Sequence, residues 1–258
     1  MHTISDPEID HFPSETSNLR FSATLGVISP KSTVQTLSFF IIITNILAFV
    51  VLNLFGWIME IQYQCVLYST GALYPPDLNR FQWHKLVTAS FFPASFLQLL
   101  INSFSALMVS FEAEEVLGRE KFLILYLGSS IYGFLLFCVG NPGNMISGSS
   151  AAVMGIMGSF TVRMLLKLKQ VDYKFAFLFA CILFINLLMA LASSTDSFLV
   201  FIGGFISGAL FTLILQEETE RIESMGKWKL WSKCILCIYP IICIIGFLML
   251  EIQYFPKC

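Results

Sequence analysis

The sequence predicts an all-α, polytopic membrane helical bundle, and three observations carry that reading. Of 258 residues, 56% are hydrophobic, where soluble domains run at about 45–50%. Only 12% are charged, against about 25% in a soluble protein, too few to cover a water-facing surface. Apolar runs of about 20 residues, the length that crosses about 30 Å of hydrocarbon, recur along the chain with polar breaks between them. A mean hydropathy of +0.77 and a formal net charge of -2 lack the basic footprint that binding nucleic acid requires.

Residues 1–35 are polar and mixed in charge, with no apolar core behind a basic start. They read as a cytosolic tail, so the first span is expected to direct insertion. Seven runs follow, at roughly 36–59, 90–110, 122–140, 147–168, 174–193, 197–216 and 231–250. Residues 36–216 form the expected membrane core, 217–230 a cytosolic linker, and 231–258 a seventh span with a short tail. With the N-terminus in the cytosol, twelve of the fifteen lysines and arginines are cytosolic, leaving Arg80, Lys85 and Lys257 outside. That asymmetry predicts a cytosolic N-terminus and puts the starts of the second and fourth spans on the opposite face. Which membrane the chain occupies is not written in the sequence, where no retention or import signal stands out and no N-x-S/T pattern occurs.

The segment 60–89 is longer than a connector needs and carries Gly71, Ala72, Tyr74, Pro75, Pro76 and Trp83. It is expected to be a structured loop partly embedded in the interface, with an ordinary solvated loop as the alternative. After the sixth run, Glu217, Glu218, Glu220, Arg221 and Glu223 read as a solvated helical extension. Lys227, Trp228, Lys229, Trp231 and Lys233 read as interfacial anchors of the seventh span, which Pro240 should kink. The seven cysteines, Cys65, Cys138, Cys181, Cys234, Cys237, Cys243 and Cys258, fall mostly in apolar runs and behave there as small hydrophobes. No disulfide framework is expected. The CxxC spacing of Cys234 and Cys237 lacks a second pair or nearby histidines, so neither a metal nor a cofactor is expected.

Two places could carry chemistry. The fourth run opens Gly148-Ser149-Ser150-Ala151-Ala152 and continues to Gly155, Gly158 and Ser159. A serine at the mouth of a helix, among small residues, presents its hydroxyl beside backbone N–H groups able to stabilise an oxyanion. The same small residues let helices pack closely, and Gly204 with Gly208 offers a matching GxxxG stripe in the sixth span; spacing alone favours packing. In the second run Gln98 and Asn102 stand four apart, on one helical face. Their amides could donate toward charge developing near Ser150 or could hold helices together, and the pair does not decide between these.

The stretch from Tyr68 through Gly71-Ala72, Pro75-Pro76, Trp83-His84-Lys85-Leu86-Val87-Thr88 and Phe91-Phe92, with Gln98 and Asn102, resembles the first loop and second span of the rhomboid intramembrane serine proteases. Glu114 with Gly118, Gly133, Gly148-Ser149-Ser150-Ala151, and the segment Asp196 to Gly208 resemble further family motifs in the family's order, over roughly residues 65 to 210. The resemblance implies a rhomboid-like six-span core, here with a seventh C-terminal span as is common in eukaryotic members. It implies a nucleophile position at Ser150 and oxyanion positions at Gln98 and Asn102. It also implies client transmembrane segments entering between the second and fifth spans, with membrane lipids as the surrounding partner.

The departures govern the functional expectation. The family's oxyanion histidine is Gln98 here, its tryptophan-arginine pair is His84-Lys85, and the last glycine of GxSG is Ala151. The general-base histidine falls on Phe201. A serine hydroxyl is a weak nucleophile until a base takes its proton, and phenylalanine has no such capacity. The only histidines are His2, His11 and His84, and no titratable side chain occurs between Ser197 and Gln216. Losing the base costs a serine hydrolase on the order of 10⁴ to 10⁶ in turnover. The expected function is therefore that of a pseudoprotease binding transmembrane clients, with an active serine endopeptidase using Ser150 as the alternative. A channel or transporter fits poorly, because no internal repeat, buried charge along the spans or paired broken helices are seen.

Overall fold

The computed structural model describes residues 37–166, 173–193, 195–215 and 226–248. Its long helices are α1 (Leu37–Met59), α4 (Phe96–Leu117), α5 (Arg119–Gly140), α6 (Ser150–Leu166), α7 (Tyr173–Ser193), α8 (Thr195–Leu215) and α9 (Gly226–Leu248). Between α1 and α4 stand two short helices, α2 (Tyr63–Thr70) and α3 (Lys85–Thr88), with a 3₁₀ turn at Pro75–Arg80. Among the described residues no strand forms beyond an isolated antiparallel bridge, Leu73 to Ile146. The molecule is a helical membrane bundle. Helices α1, α4, α5 and α8 are long and apolar enough to cross a membrane, while α6, α7 and α9 carry shorter apolar stretches.

The centre of the bundle is α6. Every residue from Ala151 to Phe160 is buried, which is what a helix apolar on all sides requires. Its 17 residues rise only about 25 Å, less than the hydrocarbon thickness, so Ser150 begins the helix inside the bundle. Around it, α6 packs on α8 and α5 most extensively and on α4 as well, while α9 docks on α5 and α8. That docking is aromatic: the rings of Tyr132 and Tyr239 stack with centroids 5.4 Å apart. Tyr132 donates to the Leu236 carbonyl, and Tyr239 donates to the Tyr132 carbonyl at 3.1 Å.

Element ends differ from the apolar runs for local reasons. The second long helix starts at Phe96, not near 90, because residues 89–91 form a 3₁₀ turn ahead of Pro93 and the Ser95 side chain caps the helix, accepting from the Gln98 N–H at 3.2 Å. It then runs on to Leu117, where Gly118 at φ +79° ends it and begins α5 at once. The helix expected from 147 begins at Ser150, since Gly148 is held at φ +115°. Residues 1–36, the acidic cluster at 217–223 and the chain beyond 248 lie outside the described residues.

Segment 60–89 is folded. Leu67, Ala72 and Leu73 are fully buried, and so is an ion pair. The Lys85 ammonium stands 2.7 Å from Asp77 Oδ2, with side chains only 7% and 1% exposed. Lys85 Nζ also lies 4.5 Å from the centroid of the Tyr68 ring, and the Tyr68 hydroxyl donates to Asp77 Oδ1 at 3.3 Å. Burial, and then the nearby Asp77 charge, push the Tyr68 phenol up, so it stays a neutral donor. One cysteine expectation is corrected here: Cys65 is disulfide-bonded, whereas Cys138, Cys181, Cys234, Cys237 and Cys243 are free.

At the other end of α1 a buried carboxylate acts as its cap. Glu114 of α4, 6% exposed, accepts from the Leu37 and Ser38 N–H groups at 2.8 Å each and from the Ser38 hydroxyl at 2.7 Å. These are orphan donors of a helix N-terminus, where negative charge is favourable.

Candidate functional site

The site is built on the contact between α6 and α8. A Cβ on Gly204 would lie 2.2 Å from the Ala151 carbonyl oxygen, and one on Gly208 would lie 2.0 Å from that of Gly155. The two helices therefore touch backbone to backbone in parallel register, which only glycine allows. Carried one turn back along α8, that register sets Phe201 level with the turn that contains Gly148. Ala151, where the family has glycine, is fully buried, and its methyl is accommodated by Gly133, where an added Cβ would come 2.8 Å from it.

The segment before Ser150 is fixed from two sides. The Leu73–Ile146 bridge ties it to the first loop, and the Gly148 N–H donates to the Ala89 carbonyl at 2.8 Å. The first backbone bond of α6 runs from the Val153 N–H to the Ser149 carbonyl, so the preceding N–H groups have no intrahelical acceptor. Ser150 is partly exposed. None of the hydrogen bonds among the described residues joins its hydroxyl to a titratable side chain.

Gln98 lies flat against Gly148: a Cβ there would meet its amide at 2.6 Å. Its oxygen accepts from the Ala94 N–H at 2.7 Å, and its nitrogen donates to the Ser147 carbonyl at 3.2 Å. This side chain is thus a strut joining the start of α4 to the strained turn before the serine, and one of its two amide hydrogens is already engaged. Asn102, one turn deeper, is 5% exposed, and its amide nitrogen has no partner in the protein. The two stand on the same face of α4, Gln98 on the backbone before Ser150 and Asn102 behind it, in a cavity it shares with Ser149.

Phe201 is partly buried against the apolar cluster that includes Tyr126, Met154 and Met157. Its ring stacks on Phe198 with centroids 6.5 Å apart and an interplanar angle of 12°. Asp196 lies in the first turn of α8, with its side chain outside the described residues. His84, the one histidine within the described residues, precedes the short α3 in the first loop, and its side chain makes no capping hydrogen bond there. Among the described residues no group of three or more metal-ligating side chains assembles. Sequence reasoning did not find the Asn186–Ser105 contact: Asn186 of α7 donates to the Ser105 hydroxyl of α4 at 2.7 Å, both buried. A polar residue in the middle of an apolar run was its only signal.

The Rhomboid domain family model matches residues 80–218. Rhomboid-like protease 3 of Toxoplasma gondii is 31% identical over 61% of this chain and 60% of its own length. Rhomboid-like protease 1 of the same organism is 26% identical over 69% of this chain and 63% of its own. RHOMBOID-like protein 6, mitochondrial, of Arabidopsis thaliana is 27% identical over 52% and 45%. The chain thus spans less than two thirds of the length of these relatives.

Proposed function

The chain belongs to the rhomboid family, and on that premise we propose that it is a pseudoprotease: an integral membrane protein that keeps the fold, binds transmembrane segments of client proteins, and leaves them uncut. The observation that carries the reading is Phe201. The register of α6 on α8 carries Phe201 to the level of the turn before Ser150, and its ring packs against the core and onto Phe198, where the resemblance calls for an imidazole. Apolar carbon there accepts no proton and excludes the water that hydrolysis consumes.

Purified protein, incubated with a panel of rhomboid substrates, should release no more product than its Ser150→Ala variant. Serine-dependent cleavage overturns the proposal. The second reading, an intramembrane serine endopeptidase using Ser150 with Asn102 and Gln98 as oxyanion donors, draws on the free N–H groups at the start of α6 and on relatives named as proteases. Labelling of Ser150 by a fluorophosphonate probe would favour it.

A further inference from the structure

Behind the start of α6 a small cavity opens among α1, α4 and α5, lined by Asn45, Asn102, Tyr126 and Ser149 together with apolar and serine side chains. Asn45, Asn102 and Tyr126 are 4%, 5% and 2% exposed. Asn45 Nδ2 donates to the Ile41 carbonyl at 2.8 Å, which turns its Oδ1 away from that carbonyl. Asn45 Oδ1, Asn102 Nδ2 and the Tyr126 hydroxyl all lack a hydrogen-bond partner in the protein. One is an acceptor only, one a donor only, and the hydroxyl is both. The Tyr126 hydroxyl is close enough to the Asn45 and Ser149 side chains to interact with both, yet it meets full hydrogen-bond geometry with neither.

Three complementary polar groups buried without partners are costly, and a bridging molecule removes the cost. The cavity offers about 10 Å³ to the centre of a water-sized sphere, enough for one water and no more. We infer that this cavity is a binding site for a single structural water. The water accepts from Asn102 Nδ2, donates to Asn45 Oδ1, and shares its two remaining sites between the hydroxyls of Tyr126 and Ser149. All four of its hydrogen-bonding positions are then used, and α1, α4, α5 and the turn before Ser150 become one polar network. Through the water, Asn45 is a positioning residue for Asn102, whether or not Ser150 is reactive.

An experimental map of the full chain in lipid, at a resolution that shows waters, should contain a peak within hydrogen-bond distance of both Asn45 Oδ1 and Asn102 Nδ2. Absence of that peak, a direct contact between the two amides, or an acyl chain in the cavity overturns the inference. The Asn45→Leu and Asn102→Leu variants supply the second measurement. Each should raise the unfolding equilibrium constant about 10-fold, and the double variant should also raise it about 10-fold, because either change alone already strands the water. A double variant near 100-fold means two independent packing sites and refutes the bridge.

Discussion

Replacing Lys85 with methionine tests the ion pair that organises the first loop. The substitution keeps the length and apolar contacts of the side chain but removes the ammonium 2.7 Å from Asp77. It leaves a carboxylate whose side chain is 1% exposed facing the Tyr68 hydroxyl and, 4.0 Å away, the half-exposed Arg80. Breaking a buried pair from one side costs about 3–5 kcal/mol. An exposed replacement partner such as Arg80 returns about 0–1 kcal/mol. The cation–aromatic contact with Tyr68 adds about 0.5–1 kcal/mol to the loss. The net expectation is about 3–5 kcal/mol, enough to release the loop from the bundle before global unfolding. Limited chymotrypsin digestion in micelles should show new cleavage within residues 60–92 of Lys85→Met. The Lys85→Arg variant should resist, and the double variant Lys85→Met/Asp77→Asn should recover most of the protection because no buried charge is left unpaired. A Lys85→Met protein as resistant as wild type, or a double variant as labile as the single, refutes the reasoning.

Other outcomes follow from the same geometry. Gly208→Leu places side-chain carbon where the Gly155 carbonyl stands, 2.0 Å from the Cβ position; it should abolish the folded bundle, read as loss of a monodisperse peak on gel filtration, while Gly143→Ala, with nothing within 4 Å, should elute as wild type. Glu114→Ala removes the cap of α1 and should lower stability by about 1–2 kcal/mol in a denaturant titration, with Glu114→Gln losing less. Asn186→Leu should cost about 1 kcal/mol and increase the reactivity of a cysteine introduced at the α4–α7 seam. Phe201→His should give Ser150-dependent cleavage where wild type gives none; its failure would place a second lesion at Gln98 or Ala151.

The helical membrane bundle was legible because composition and run length report directly on a lipid environment. The candidate positions Ser150, Gln98, Asn102, Phe201, Gly204 and Gly208 could be named because motif order fixes register along a helix. Hydropathy missed the ends. It does not see that Ser95 caps α4 or that Gly148 adopts a positive φ, both of which stop apolar sequence from being helix. Nor does it see pairings across loops. Lys85 read as one of three charges on the outer side, yet it is buried against Asp77, eight residues away, as an ion pair drawn together by the fold of the loop. Likewise Glu114 and Gly118 read as a turn, which Gly118 makes, while the carboxylate reaches 77 residues back along the chain to Leu37.

That long reach gives α1 an asymmetric fastening. Three charge-assisted bonds secure one end to α4, and such bonds are directional and short-ranged. Toward the opposite end the attachments include ring contacts of Phe49 with Tyr63 and Phe96 and Leu52 buried with Val66, Leu67 and Ala72, contacts whose strength scales with the apolar area covered. The first helix is thereby fastened at its start by a fixed carboxylate and farther along by apolar packing against the folded loop, two attachments that answer to different perturbations: loss of charge at Glu114 and loss of volume at Leu52.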